Sequence, residues 1–122
     1  MRTHESEEMY LETILLMKRQ KANVRSVDVV EALDYAKSSV SRAVNLLVKK
    51  GYITIDRIDG NINFTEAGRK KAESIYERHE MLTAVLEKIG ADKELAEETA
   101  CRIEHVVSEE LLEVIRKYLA EH

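Results

Sequence analysis

The chain of 122 residues has no proline, four glycines and one cysteine. So little helix-breaking punctuation favours helices over a many-stranded fold. One cysteine excludes an intramolecular disulfide framework and suits a reducing compartment, where a lone thiol persists as a ligand or a small buried hydrophobe. No apolar run approaches the roughly 18 residues that read as a membrane span. The polar start, MRTHESEEMY, has no apolar centre of the kind a signal peptide needs. These absences predict a cytoplasmic protein with neither membrane partner nor export signal.

What is present is an ordinary globular composition, 44% hydrophobic and 34% charged, in a chain sized for one domain or two small lobes. The net charge of −4 is unevenly placed. Residues 1–71 hold 13 Lys and Arg against 10 Asp and Glu, a balance of +3, and residues 72–122 hold 6 against 13, a balance of −7. A basic first part suits a polyanion and an acidic second part suits cations, although a solvated acidic helix face accounts for the same numbers.

The pattern predicts a first helix over 6–20, with Met9, Ile14, Leu15 and Met17 at helical spacing. Ser26 is read as the cap of a short helix, Val27 to Leu33. After the turn DYAK, Ser38 or Ser39 caps a helix running to Lys50 with Val40, Val44, Leu47 and Val48 inward, stopped by Gly51. Ile53, Ile55, Ile62 and Phe64 alternate with polar residues about Asp59-Gly60, which predicts a hairpin. Thr65 then caps a long helix over 66–89, ended by Gly90. Asp92 caps a fifth helix and Ser108 a sixth.

Helix, short helix, turn, helix and hairpin is the order of a winged helix-turn-helix, whose second paired helix lies in the major groove of DNA. The predicted fold is therefore mostly α with a small β-hairpin wing, divided into a DNA-binding domain over 1–71 and a helical domain over 72–122. Ser38, Ser39 and Ser41 are small enough to approach phosphates and base edges, and Arg42 has the donor fork for guanine. Lys37, Lys49, Lys50 and Arg57 suit phosphate contacts. A capped helical pair with a basic solvated face explains the same residues more blandly; the hairpin that follows favours double-stranded DNA. Specific sites are usually read by symmetric dimers. Leu82, Val85, Leu86 and Ile89 on the long helix, with Leu111, Leu112, Ile115 and Leu119 on the last, either form a homodimer interface or complete the second core.

Within ACRIEHVVS, Cys101, Glu104 and His105 stand at i, i+3 and i+4 of the predicted fifth helix. They would share one face, and a thiolate, a carboxylate and an imidazole are good ligands for a divalent transition metal. Taken singly, each has a commoner structural role; the trio is the informative signal. A fourth ligand would come from Met9, Glu12 or His79.

EMYLETI (8–14), SSVSRAVNLLVKKGYI (38–53), FTEAGRKKA (64–72), RHEML (78–82) and ACRIEHVVSEEL (100–111) run across almost the whole chain, the last with a specific C-x-x-E-H core. In this set and order the chain resembles the diphtheria toxin repressor and manganese transport regulator family of metal-dependent repressors. The resemblance implies a primary metal site of Met9, Cys101, Glu104 and His105, and a second near Glu12 and His79 with Glu104 able to bridge. It also implies a second domain that binds metal and forms a homodimer, and repression of metal-uptake genes. Methionine and cysteine in the primary site follow the iron-sensing branch; Glu12 follows the manganese branch. Thr83 and Glu97 stand where the iron branch has other accessory ligands, and the SH3-like third domain of longer members is absent from this sequence.

Thiolate and thioether ligands favour Fe(II) as the signal, with Mn(II) the alternative and Co(II), Ni(II) or Zn(II) able to bind in vitro. No set of nucleophile, base and oxyanion donors marks an enzyme with a small-molecule substrate. The remaining alternative is a metal-independent winged-helix regulator in which the trio is core.

Overall fold

The computed structural model describes the backbone of residues 2–122, with side chains from Glu7 onward. Six helices and one hairpin follow in the order α1 (Arg2–Gln20), α2 (Ser26–Leu33), α3 (Lys37–Lys49), β1 (Ile53–Ile55), β2 (Ile62–Phe64), α4 (Glu66–Lys88), α5 (Lys93–Ile103) and α6 (Glu109–Glu121). The chain divides into two compact units, Met1–Glu73 and Ser74–His122, with α4 running through the boundary. Among the described residues no helix is long and apolar enough to cross a membrane.

In the first unit, Leu11, Ile14 and Leu15 recur at the spacing of one helix face and are buried with Tyr10. Helix α2 begins one residue earlier than its serine suggests. Arg25 is the N-cap, and the Asp28 carboxylate reaches back to accept its N–H at 2.8 Å. Asp34, in the left-handed region at φ 56°, ends this helix. Helix α3 starts at Lys37 from Ala36, with no side-chain cap, so Ser38 and Ser39 lie inside the first turn instead of capping it. Val40, Val44 and Leu47 form its buried stripe. Val48 is 39% exposed, because eight residues along a helix place it about 80° round from Val40.

The hairpin pairs Ile53 with Phe64, Thr54 with Asn63 and Ile55 with Ile62. Asp59-Gly60 is not a two-residue turn between the strands. It belongs to a longer loop organised by Asp56, whose Oδ1 accepts the N–H of Ile58 at 2.7 Å and of Asp59 at 3.2 Å. Those bonds hold the Asp56 carboxyl below the usual carboxylate range. The start of α4 is welded to the segment before β1. Thr65 Oγ1 donates to the Gly51 carbonyl at 2.6 Å and accepts the Gly68 N–H at 3.1 Å. A Cβ on Gly68 would lie 1.8 Å from the Tyr52 carbonyl oxygen, so only glycine fits.

In the second unit, Asp92 caps α5 by accepting Leu95 N–H at 2.8 Å, and Ser108 caps α6 by accepting Leu111 N–H at 3.1 Å. Leu82, Ala100 and Ile115 form a buried core ringed by Met81, Val85, Leu86, Ile103, Val107 and Leu119.

Candidate functional site

Helix α5 ends at Ile103, earlier than the spacing of Cys101, Glu104 and His105 on one helix requires. Glu104 is its C-cap and His105 lies in the following turn. Glu104 keeps helical backbone at φ −61° and ψ −24°, so it still follows Cys101 by one turn, but the three side chains differ in burial. Cys101 is exposed, Glu104 is fully buried, and the His105 side chain is 9% exposed. Among the described residues, the Cys101, Glu104 and His105 ligand atoms do not lie within 4.8 Å of one another.

Two imidazoles flank Glu104. His79 Nδ1, from α4, lies 2.6 Å from Oε1, and His105 Nε2 lies 3.4 Å from Oε2. Oε2 is buried and accepts no hydrogen bond. Arg78 donates to the Glu104 carbonyl oxygen at 2.8 Å, which fixes the backbone there. The hydrogen bond to Glu104 raises the His79 pKa against the opposing effect of burial, and the charges of Glu104, Glu97 and Glu80 add to the rise. Tyr76 stacks along His79 with ring centroids 6.1 Å apart.

A buried carboxylate with one unpartnered oxygen is costly unless a cation answers it. Glu104 is thus a buried acid in contact with an imidazole on each oxygen, and carboxylate and imidazole are both donor types that divalent metals accept. The residues present fit such an ion. An open cleft of about 250 Å³ adjoins His79 and is lined by Glu80, Glu87 and Glu97 as well. Thr83 lines it too, but its hydroxyl donates to the His79 carbonyl at 2.8 Å, so that proton already has a backbone partner. Sequence reasoning passed over Arg78, Tyr76, Glu80 and Glu87. Their signal was present, since 76, 79, 80, 83 and 87 recur at the spacing of one helix face.

Met9 and Glu12 stand three apart on α1, in the first unit. Glu12 is buried, and the Met9 sulfur accepts from the Tyr35 hydroxyl at 3.7 Å.

The residues expected to read DNA lie at α3 and the wing. Lys37, Ser38, Ser41, Arg42, Lys49 and Arg57 are exposed, and Ser39 is half-buried. Lys50 differs. Its ammonium is paired with the buried Glu7 carboxylate of α1, which raises the Lys50 pKa. Lys71 approaches the same carboxylate at 3.6 Å. Lys50 is thus an internal tie between α1 and the end of α3. A shallow groove of about 490 Å³ between α2 and α3 has Val27 and Val30 in its wall beside Lys37, Ser38 and Ser41.

The four long-helix residues expected at a dimer interface separate by burial. Leu82 is 2% exposed in its own unit's core, and Val85 and Leu86 pack against that core. Ile89 alone is well exposed, at 72%. The larger apolar surface is on α6, where Leu111, Val114 and Tyr118 are exposed at helical spacing.

Two domain models of one family match the chain. Residues 2–60 match the iron dependent repressor N-terminal DNA binding domain, and residues 65–122 match the iron dependent repressor metal binding and dimerisation domain. An uncharacterized HTH-type transcriptional regulator of Methanocaldococcus jannaschii is 31% identical over 117 residues, covering 94% of this chain and 93% of its own length. The HTH-type transcriptional regulator MntR of Lysinibacillus sphaericus is 35% identical over 103 residues, covering 84% of this chain and 73% of its own. The fold matches that of a manganese-dependent transcriptional repressor in complex with manganese, with a TM-score of 0.84 at 22% identity. That match covers 93% of this chain and 52% of the longer one.

Proposed function

The chain belongs to the iron-dependent repressor family, metal-dependent DNA-binding transcriptional repressors and not enzymes, and we propose that its own signal is Fe(II). The observation that carries the metal reading is Glu104, a wholly buried carboxylate between two imidazoles with one oxygen lacking a hydrogen bond. The soft donors Met9 and Cys101 argue for Fe(II) within that reading. Met9, Cys101, Glu104 and His105 would hold the primary ion, with Glu12 and His79 at a second site. When bound, the ion would supply positive charge for the buried carboxylate and further bonds to Met9 and Glu12 of α1.

The protein's own groups do the rest. An ion held by His79 would compete with its hydrogen bond to Glu104. Cys101 would serve as a thiolate. Met9 and Glu12 fix α1, and the Glu7–Lys50 pair carries that constraint to the end of α3. In a homodimer this sets where the two α3 helices stand against the groove, so metal and DNA tighten one another's binding by the same factor.

On the DNA, Ser38, Ser41 and Arg42 would meet base edges, and Lys37, Lys49 and Arg57 phosphates. The apolar wall of Val27 and Val30 suits a thymine methyl. The output of this reading is repression of metal-uptake genes. The dimer would form through the Leu111, Val114 and Tyr118 face of α6. Mn(II) is the second reading, favoured by the buried Glu12 carboxylate and the glutamates lining the His79 cleft.

An anaerobic Co(II) titration followed by absorbance separates the two. A near-ultraviolet thiolate band in the wild type, lost in Cys101→Ser, is the expected result. Binding without that band would remove the sulfur site and move the assignment to Mn(II). No binding would end the metal reading altogether.

A further inference from the structure

The Lys18 side chain is in the last turn of α1, and its ammonium finds three oxygen acceptors. They are the Ala22 carbonyl at 2.8 Å, Asn61 Oδ1 at 3.2 Å and Asn63 Oδ1 at 3.1 Å. An ammonium has three N–H groups, so this set saturates it. The same Asn61 oxygen accepts the Val24 N–H at 2.9 Å, and Ile62 N–H donates to the Val24 carbonyl at 2.7 Å. The wing is therefore bonded along its second strand to the end of α1 and to the segment that follows it. Its outer end is also built rigidly. Asp56 accepts two backbone N–H groups, Asp59 Oδ1 accepts Asn61 N–H at 2.9 Å, and Ile58 is left 96% exposed beside Arg57.

We propose that Lys18 is a positioning residue that makes the wing a rigid extension of α1, so that fixing α1 also aims Arg57 at the DNA. The proposal rests on the metal reading above, because Met9 and Glu12 lie on the same helix. A helix transmits a rigid displacement along its length, whereas a hairpin attached only by its ends would not follow it. Lys18 is suited to the role because two of its three N–H groups are met by amide oxygens of the wing itself. A lysine held by two asparagines of the hairpin reports on the position of both strand and helix.

The test uses the full-length dimer and a duplex selected from a random pool by the Co(II)-loaded wild type. Lys18→Met keeps the length of the side chain and removes its donors. The expected result is unchanged Co(II) affinity, with DNA binding of the loaded protein about tenfold weaker and that of the metal-free protein little altered. Arg57→Ala supplies the readout that a merely structural role would not move. In the wild type it reduces the slope of log affinity against log salt by about one, as loss of a phosphate contact should. In Lys18→Met the same change should leave the slope where it was. Asn63→Leu, which keeps the Lys18 charge and alters an exposed residue, should act in the same direction with a smaller effect.

An Arg57→Ala effect of equal size in both backgrounds would overturn the proposal. So would a Lys18→Met loss of affinity that is the same with and without Co(II). A wild type whose DNA affinity ignores Co(II) would instead overturn the metal reading itself, and the transmission with it.

Discussion

The two units handle their polar groups differently. In the first, several charged groups find partners within the unit: Glu7 in Lys50 and Lys71, Asp28 in the Arg25 N–H and Lys21, Lys18 in oxygens of the wing. In the second, Glu104 keeps an oxygen with no hydrogen bond, and α6 leaves an apolar stripe in solvent. The first unit is complete as a folded object and offers a basic surface to its partner. The second is chemically incomplete in two places, one suited to a cation and the other to a second copy. Glu104 and the exposed α6 stripe belong to the same small unit, whose core is Leu82, Ala100 and Ile115.

The hardest way to break this contrast is to damage the unit that is complete. Gly68→Ala forces a Cβ to 1.8 Å from the Tyr52 carbonyl oxygen. Backbone must move, and a loss of about 4 kcal/mol is expected, at the severe end for a single substitution. Urea unfolding followed by circular dichroism should show the midpoint collapse. A change within about 0.5 kcal/mol would mean the α4–β1 contact is soft, and the first unit less rigid than its bonds imply.

The opposite test relieves the incomplete unit. Glu104→Gln removes a buried charge, so metal-free thermal stability should stay level or rise, while metal affinity falls by more than about 100-fold. Differential scanning fluorimetry with and without Co(II) reads both effects in one experiment. A large loss of metal-free stability would show that Glu104 is satisfied by its histidines and that no cation is needed.

For the apolar gap, Val114→Glu puts a charge on the exposed α6 stripe. The dimer should dissociate at about 10-fold to 100-fold higher concentration, measured by analytical ultracentrifugation, with the second unit's fold intact because Val114 is 62% exposed. Leu82→Ala should instead unfold that unit, since Leu82 is core.

How much of this could be read from the sequence depended on the range of the physics. Asp92 and Ser108 were legible as caps because an N-cap bond spans three residues. The apolar stripe of α3 was legible for the same local reason, and the order of elements gave the winged helix. Ala36 was not, because extended backbone alone starts α3 there and leaves no side-chain mark. Asp59-Gly60 pointed to a tight turn, but Asp56 captures the neighbouring N–H groups first. The Glu7–Lys50 pair joins residues 43 apart, and no local pattern announces it. Glu104 resembled its surface-helix neighbours, since only the arrival of His79 from 25 residues away reveals it as buried. The chemistry of the site was legible as residue types; its burial was a tertiary fact.

The smallest effect tests how closed the first unit is. Asp28 caps α2 from inside the helix, and its carboxyl is held below the usual carboxylate range, first by the Arg25 N–H and then by Lys21. A carboxyl with a depressed folded pKa contributes stability that is present above the unfolded value and lost as pH falls through the folded one. Asp28→Ala should therefore cost about 1 kcal/mol at neutral pH, the usual worth of such a cap. The two proteins' urea midpoints should converge once the pH falls below the depressed pKa of the folded state, where the wild-type carboxyl also takes a proton. A difference that persists unchanged at low pH would assign Asp28 a packing role and not an electrostatic one. The comparison matters beyond the cap, because Arg25 also packs its side chain at 3.5 Å from where a Cβ on Gly60 would stand. If loosening α2 at Asp28 also weakens DNA binding through Arg57, the wing is held from two sides, and Lys18 shares its work with Arg25.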